Sequence, residues 1–176
     1  MGIPTLISTS TASNAANVDI TSGIDSTYDE YMFVMTDISP STDGANFLFQ
    51  VNAAGASGFN ETMTSTYFWA KHGDDDSTDL AYVDSLDQAQ GTAFQFLGNA
   101  YEESQGGAGI LHLFSPSSTT YVKHFYARIT HFSNGGGVAR EDNIAGYINT
   151  TTAIDEISFK VSTGTFDGVI QMYGIA

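Results

Sequence analysis

Apolar and polar positions along this 176-residue chain alternate in short runs, and clusters of turn-forming residues separate the runs. "NFLFQVN", Asn46 to Asn52, shows the pattern most cleanly, with Phe47, Phe49 and Val51 on one side and Leu48 and Gln50 on the other. A period of two is that of a strand, whose successive side chains point to opposite faces. Tyr28 to Ile38 repeats it over a longer span and places Tyr31, Phe33 and Met35 on one face. Ile3 to Ser10, Val18 to Thr21, "STYFWA", Phe94 to Leu97, Gly109 to Phe114, Tyr121 to Phe132 and Asn143 to Asn149 read as further strands. Asp43-Gly44 and Asn134-Gly135 supply turns that need a residue at ease with positive φ. The chain ends in two runs, Glu156 to Ser162 and Val169 to Ile175. They read as a hairpin closed through Thr163 to Gly168, with Asp167-Gly168 as its turn pair, and with the last strand inside its sheet rather than at the edge.

Helical periodicity is nearly absent. The one candidate is Asp84 to Ala93, "DSLDQAQGTA", which Gly91 limits to two turns. About ten strands at short, turn-punctuated spacing describe an all-β sandwich or barrel. No linker or internal repeat divides the chain, so residues 1–176 read as a single domain.

Composition narrows the functional classes. Only 14% of residues are charged, and five Lys and Arg stand against twenty Asp and Glu, a formal net charge of −15. A field of that sign repels phosphate backbones and anionic lipid, so neither nucleic acid nor a membrane surface is an expected partner. There is no cysteine, which removes disulfides, thiolate metal sites and thiol nucleophiles together. No apolar run approaches the length of a membrane span. "MGIPTLISTSTAS" has neither the basic start nor the apolar stretch of a signal peptide. The expected place of synthesis is therefore the cytoplasm, without export through such a signal.

Tests for chemistry return little. His72, His112, His124 and His131 fall in no paired zinc spacing. His112 and His124 sit at strand positions, where a half-buried, hydrogen-bonded role is expected. "GASGF" has Phe59 where a nucleophile elbow needs glycine, and "NGGGVAR" lacks the Lys-Ser/Thr of a phosphate loop. No catalytic residue and no cofactor is assigned, and the chain reads as non-enzymatic. The acidic run Asp74, Asp75, Asp76 and Asp79 fails the calcium-loop pattern, with its glycine missing and Ser85 at the twelfth position. Loop-bound calcium is therefore not favoured over a solvated loop. The same run follows "STYFWAKH", which holds the only tryptophan. Trp69 beside Asp74, Asp75, Asp76 and Asp79 forms a candidate glycan-binding loop, with an aromatic platform and carboxylates at its rim. The competing reading is that Phe68 or Trp69 plugs one end of the core.

The C-terminal stretch "TTAIDEISFKVSTGTFDGVIQMYGIA" resembles a signature common in virion proteins of tailed bacteriophages. Ile154, Asp155, Ile157, Phe159, Gly164, Phe166, Gly168, Ile170, Tyr173 and Gly174 stand on that pattern. "SGIDSTYDEYMFVMTDISPSTDGANFLFQVN" looks like the companion N-terminal portion, and "GFNETMTSTYFWA" and "SPSSTTYVKHF" are similar to marine examples. The resemblance implies a two-sheet, jelly-roll-like structural domain on the surface of a virion. It further implies other capsid or tail proteins as partners and a homo-oligomer, commonly a trimer. Lacking a shaft or coiled coil, the sequence fits a capsid decoration protein or small tail-associated subunit. A tail-fibre tip that recognises host surface glycan is the alternative.

Overall fold

The computed structural model describes residues 2–103 and 105–176. Among them the chain forms thirteen strands and no helix. In order these are β1 (Thr5–Ala15), β2 (Asn17–Ile20), β3 (Glu30–Pro40), β4 (Phe47–Ala53), β5 (Met63–Gly73), β6 (Thr78–Tyr82), β7 (Ala89–Gly91), β8 (Gln95–Gly98), β9 (Gly107–Phe114), β10 (Lys123–Ser133), β11 (Val138–Ile148), β12 (Ile154–Val161) and β13 (Phe166–Ile175). The larger of two antiparallel sheets has the order β1-β13-β3-β9-β10-β11-β5-β6, with β7 pairing β5 off that path. The smaller has the order β2-β12-β4-β8. The expected all-β sandwich is what forms, and its chain passes repeatedly from one sheet to the other.

The strand count exceeds ten because β6 and β7 lie where alternation is silent. β6 is an edge strand of exposed and half-exposed residues. With no core to face, it needs no apolar period. β7 falls inside the stretch read as a helix, and that reading is corrected: Asp84 to Gln88 turns and Ala89 to Gly91 pairs with β5. The reason lies in competing partners. Gln88 N–H donates to Ser65 Oγ, Ser65 N–H donates to Gln88 O, and the Gln95 amide donates to Leu86 O. These tertiary bonds outweigh a two-turn helix, which is marginal by itself.

The C-terminal hairpin is also corrected. β12 lies between β2 and β4 in the small sheet, whereas β13 lies between β1 and β3 in the large one. Residues 162–165 carry the chain across the core, because two strands that each present an apolar face gain more by facing one another than by lying side by side. Asp167-Gly168 is no turn but a bulge within β13, where the register to β3 slips between Asp167 and Val169. Gly168 has φ +149°, and a Cβ there would come within 2.8 Å of Ile38 Cδ1. The placement of the last strand inside its sheet holds, since β13 is hydrogen-bonded on both sides.

Aromatic rings join the layers. Phe33 of β3 meets Phe159 of β12 with centroids 5.7 Å apart, Phe47 of β4 meets Phe166 of β13 at 5.6 Å, and Phe49 meets Phe125 of β10 at 5.1 Å. Tyr31, Phe33 and Met35 are buried as the alternation requires. β4 departs from it, because Leu48 and Gln50 are buried on its other face as well. The segments around Glu61 and Thr92 cover that face, and Gln50 Nε2 donates to the carbonyls of Glu61, Thr92 and Ala93.

Candidate functional site

Trp69 and the acidic run share the β5–β6 hairpin, and of the run Asp79, opposite Lys71, lies on the strand face that carries Trp69, while Asp74, Asp75 and Asp76 occupy the tip. Alternation from buried Met63, Ser65 and Tyr67 carries Trp69 onto the inner face of β5. Its ring is half-buried there, with the Arg140 guanidinium 4.6 Å and Lys71 Nζ 5.0 Å from its centroid. Trp69 thus closes one end of the core, with two of the five cations resting on it. Asp74, Asp75 and Asp76 form the exposed hairpin tip, and Asp79 stands opposite Lys71 on β6. The tip is held by its own backbone: Gly73 N–H donates to Ser77 O and Asp74 N–H to Gly137 O. Asp75 accepts from Ser77, which holds its pKa below the usual value. Gly137 has φ +65° and no room for a Cβ against Asp74, so glycine is what lets the β5–β6 and β10–β11 turns meet. Among the described residues no three acids or histidines converge as a metal-ligand set.

Beneath Trp69 lies a charged cluster that alternation through Asn143 alone does not expose. β11 begins at Val138, five residues before the predicted strand, so Arg140 and Asp142 continue the inward series of Ile144 and Ile148. His131 does the same on β10 after Phe125, Ala127 and Ile129. Asp142 accepts from Arg140 Nε at 2.8 Å, contacts His131 Nε2 at 2.9 Å and accepts from Asn99 N–H at 3.2 Å. The His131 and Asp142 side chains are fully enclosed. Tyr101 stacks on the His131 ring at 4.1 Å. Burial, reinforced by the Asp142 carboxylate, raises the pKa of Tyr67 and Tyr101 far beyond the ordinary phenol range and keeps both neutral. Sealed from solvent, His131 and Asp142 can hold the strands in register but cannot reach a substrate. Lys123 is a further buried titratable side chain on β10. Its Nζ donates to the carbonyls of Thr150 and Thr152, and burial lowers its pKa.

The outer face of the large sheet is built differently. One cross-strand row runs Leu6, Tyr173, Met32, His112, Tyr126, Ala145 and Thr66, apolar or aromatic over most of its length. The charges beside this row are paired. His112 Nδ1 lies 2.5 Å from Glu30 Oε1, and Arg128 holds both oxygens of Glu141. His112 therefore has the half-buried, hydrogen-bonded role expected of it. His124 does not: on β10 it alternates with buried Lys123 and Phe125, so it stands exposed beside Tyr147. Arg128 holds the Glu141 carboxyl below its usual pKa. In a carboxyl-detected titration, Glu141 is expected to ionise below 4.5 and to move upward in Arg128→Met. Because its folded pKa is depressed, the pair's contribution is present above the unfolded value and is lost as pH falls through the folded one.

A shallow groove of about 440 Å³ opens on this face. Its floor is Ala145 and Gly146, with Phe114 and Tyr126 on one side and His124 and Tyr147 on the other. The small side chain of outward-facing Ala145 leaves a gap between the aromatic walls, whereas Gly146 faces inward, where a Cβ would come within 2.8 Å of Phe125 Cζ. Tyr126 is 45% exposed and stacks on His112 at 4.5 Å. Sequence reading misses this groove because its aromatics come from three strands and share no local motif. No family model, curated protein or solved structure matches the chain.

Proposed function

We propose that this chain is a non-enzymatic structural protein exposed on the surface of a tailed-phage virion, as a capsid decoration or small tail-associated subunit. The resemblance of its C-terminal stretch to the phage virion signature carries the reading. Those matched residues make the crossing between sheets: Ile157, Phe159, Phe166 and Ile170 are buried, and Gly164 and Gly168 occupy positive φ. A charge-poor surface with net charge −15 supports it further, because subunits crowded on a particle then resist stray adsorption. The enclosure of His131 and Asp142 favours a structural over a catalytic role for that pair. Partners on this reading are other capsid or tail proteins and further copies of the chain, in a trimer as the resemblance implies.

Labelling intact particles with a chain-specific antibody fragment tests the proposal. Label spread over the head is expected of a decoration protein, and label on the tail of a tail-associated subunit. Particles that carry no label and no copy of the chain by mass spectrometry would refute it. A second reading, a receptor-binding tip that recognises host surface glycan, is favoured by the aromatic-walled groove rather than by the Trp69 hairpin. Its test is binding of the purified chain to host cells, competed by soluble surface polysaccharide.

A further inference from the structure

From the groove between β9–β10 and β5–β11 we infer a binding site for neutral sugars, taken as pyranose units of an uncharged glycan. The inference deepens the receptor reading by naming the site and the ligand chemistry. Three features of the groove point to it.

The first is the pairing of flat apolar surfaces with hydroxyl and amide groups. Tyr126, stacked on His112 and 5.7 Å from Phe114, is one fixed aromatic wall, and Tyr147 with His124 is the other. A pyranose offers matching chemistry, an apolar C–H face for stacking and a belt of hydroxyls for hydrogen bonds.

The second is a rim already organised for such bonds. Gln90 Nε2 donates to Thr64 Oγ1 at 2.6 Å and to Tyr147 Oη at 3.2 Å, and Asn149 Nδ2 donates to Gln90 Oε1 at 2.7 Å. The Tyr147 hydroxyl proton and the Asn149 carbonyl are left for a ligand. Gln90 takes φ +56° at the bulge between β7 and β5, the irregular backbone that presents its amide to Tyr147. A non-glycine residue held in that region is strained, and such strain gathers at working surfaces. The role fits β7, which lies off the main path of the sheet and pairs with β5 alone.

The third is charge. No carboxylate, lysine or arginine lines the groove, and its one histidine, His124, is exposed. The neighbouring Glu30 is hydrogen-bonded to His112. An acidic polysaccharide would meet no fixed countercharge here and would be repelled by the net −15 of the chain. A peptide added as a strand would find no free edge, because β9, β10, β11 and β5 all have neighbours on both sides. An uncharged glycan is the ligand these surfaces complement.

The test uses the full chain and two sets of oligosaccharides, one neutral (gluco-, galacto- and manno-configured) and one uronic-acid-containing. Both are titrated at low salt with NMR detection. A neutral member is expected to shift the resonances of Tyr126, Tyr147, His124 and Gln90. Tyr126→Ala should then weaken binding about tenfold, as loss of one stacking face implies, and Tyr147→Phe about threefold. Near-UV circular dichroism establishes that both variants keep the fold. Absence of shifts with every neutral sugar up to about 10 mM overturns the proposal. So does binding confined to the acidic set, or neutral-sugar binding unchanged in Tyr126→Ala. Failure of the receptor reading looks different: sugars bind in the groove, yet the chain ignores host cells. Host-cell binding that survives both substitutions keeps that reading and rejects this site.

Discussion

Replacing Asp142 by alanine is expected to destabilise the fold by about 3–5 kcal/mol, a large share of the total stability of an ordinary domain. The carboxylate is the common acceptor for Arg140, His131 and the Asn99 amide, and all of its surface is buried. Without it the Arg140 guanidinium, whose Nη2 has no protein partner even now, stays enclosed beneath Trp69 with no countercharge. Tyr67 and Tyr101, which also lack hydrogen-bond partners for their hydroxyls, lose the carboxylate they lie near. In a domain of this size the change should lower Tm by roughly 6–20 °C. Asp142→Asn, which keeps shape and one acceptor, should cost less. The informative comparison is a triple replacement, His131→Phe with Arg140→Met and Asp142→Leu. If the cluster costs as much in desolvation as it returns in attraction, the triple variant recovers most of what the single variant loses. A single variant that melts like the parent would mean that the cluster does not hold β10 and β11 together.

This cluster marks where sequence reading stopped short. Strands whose inward residues are all apolar, such as Tyr31-Phe33-Met35 and Phe47-Phe49-Val51, were legible because alternation and burial coincide. Alternation marks β11 only from Asn143, because "VARED" looks like a charged turn. Yet Arg140, Asp142 and Ile144 keep the period of two, and Lys123 and His131 keep it on β10. Charges in phase with a core face are the signal that would have found them. The Trp69 hairpin is legible as a feature but not as a geometry, since spacing alone does not say that the indole turns inward onto Arg140 while Asp74, Asp75 and Asp76 stay at the tip. The destination of the last two strands was equally hidden. Local alternation is the same whether two adjacent strands pair or face each other, and the choice is made by β1, β2, β3 and β4, which are distant in sequence.

Phe159→Ala is expected to cost about 3–5 kcal/mol, measured as a lowered urea midpoint with an unchanged slope. Phe159 is fully buried, and its ring is stacked on Phe47 at 6.0 Å within the small sheet while meeting Phe33 of the large sheet at 5.7 Å. Removing it opens a cavity at the junction of three rings, where rigid neighbours on two sheets cannot collapse to fill it. Phe159→Leu keeps most of the volume and should cost clearly less. A double-mutant cycle with Phe33→Leu should give a coupling of about 0.5–1.5 kcal/mol, the extra worth of an aromatic pair. A cost below about 1 kcal/mol for Phe159→Ala would mean that the layers are held elsewhere, since full loss of a core ring cannot be that mild in a packed seam. The same residue stands on the phage-like pattern, together with Ile157, Phe166 and Ile170. In this chain those residues clasp the two sheets, with β12 in the small sheet and β13 in the large one. The outer-face groove draws its aromatic walls from β9, β10 and β11, strands outside the C-terminal stretch. Substitutions in the groove therefore leave the seam untouched, and the proposed virion role and the proposed sugar site are tested by separate experiments.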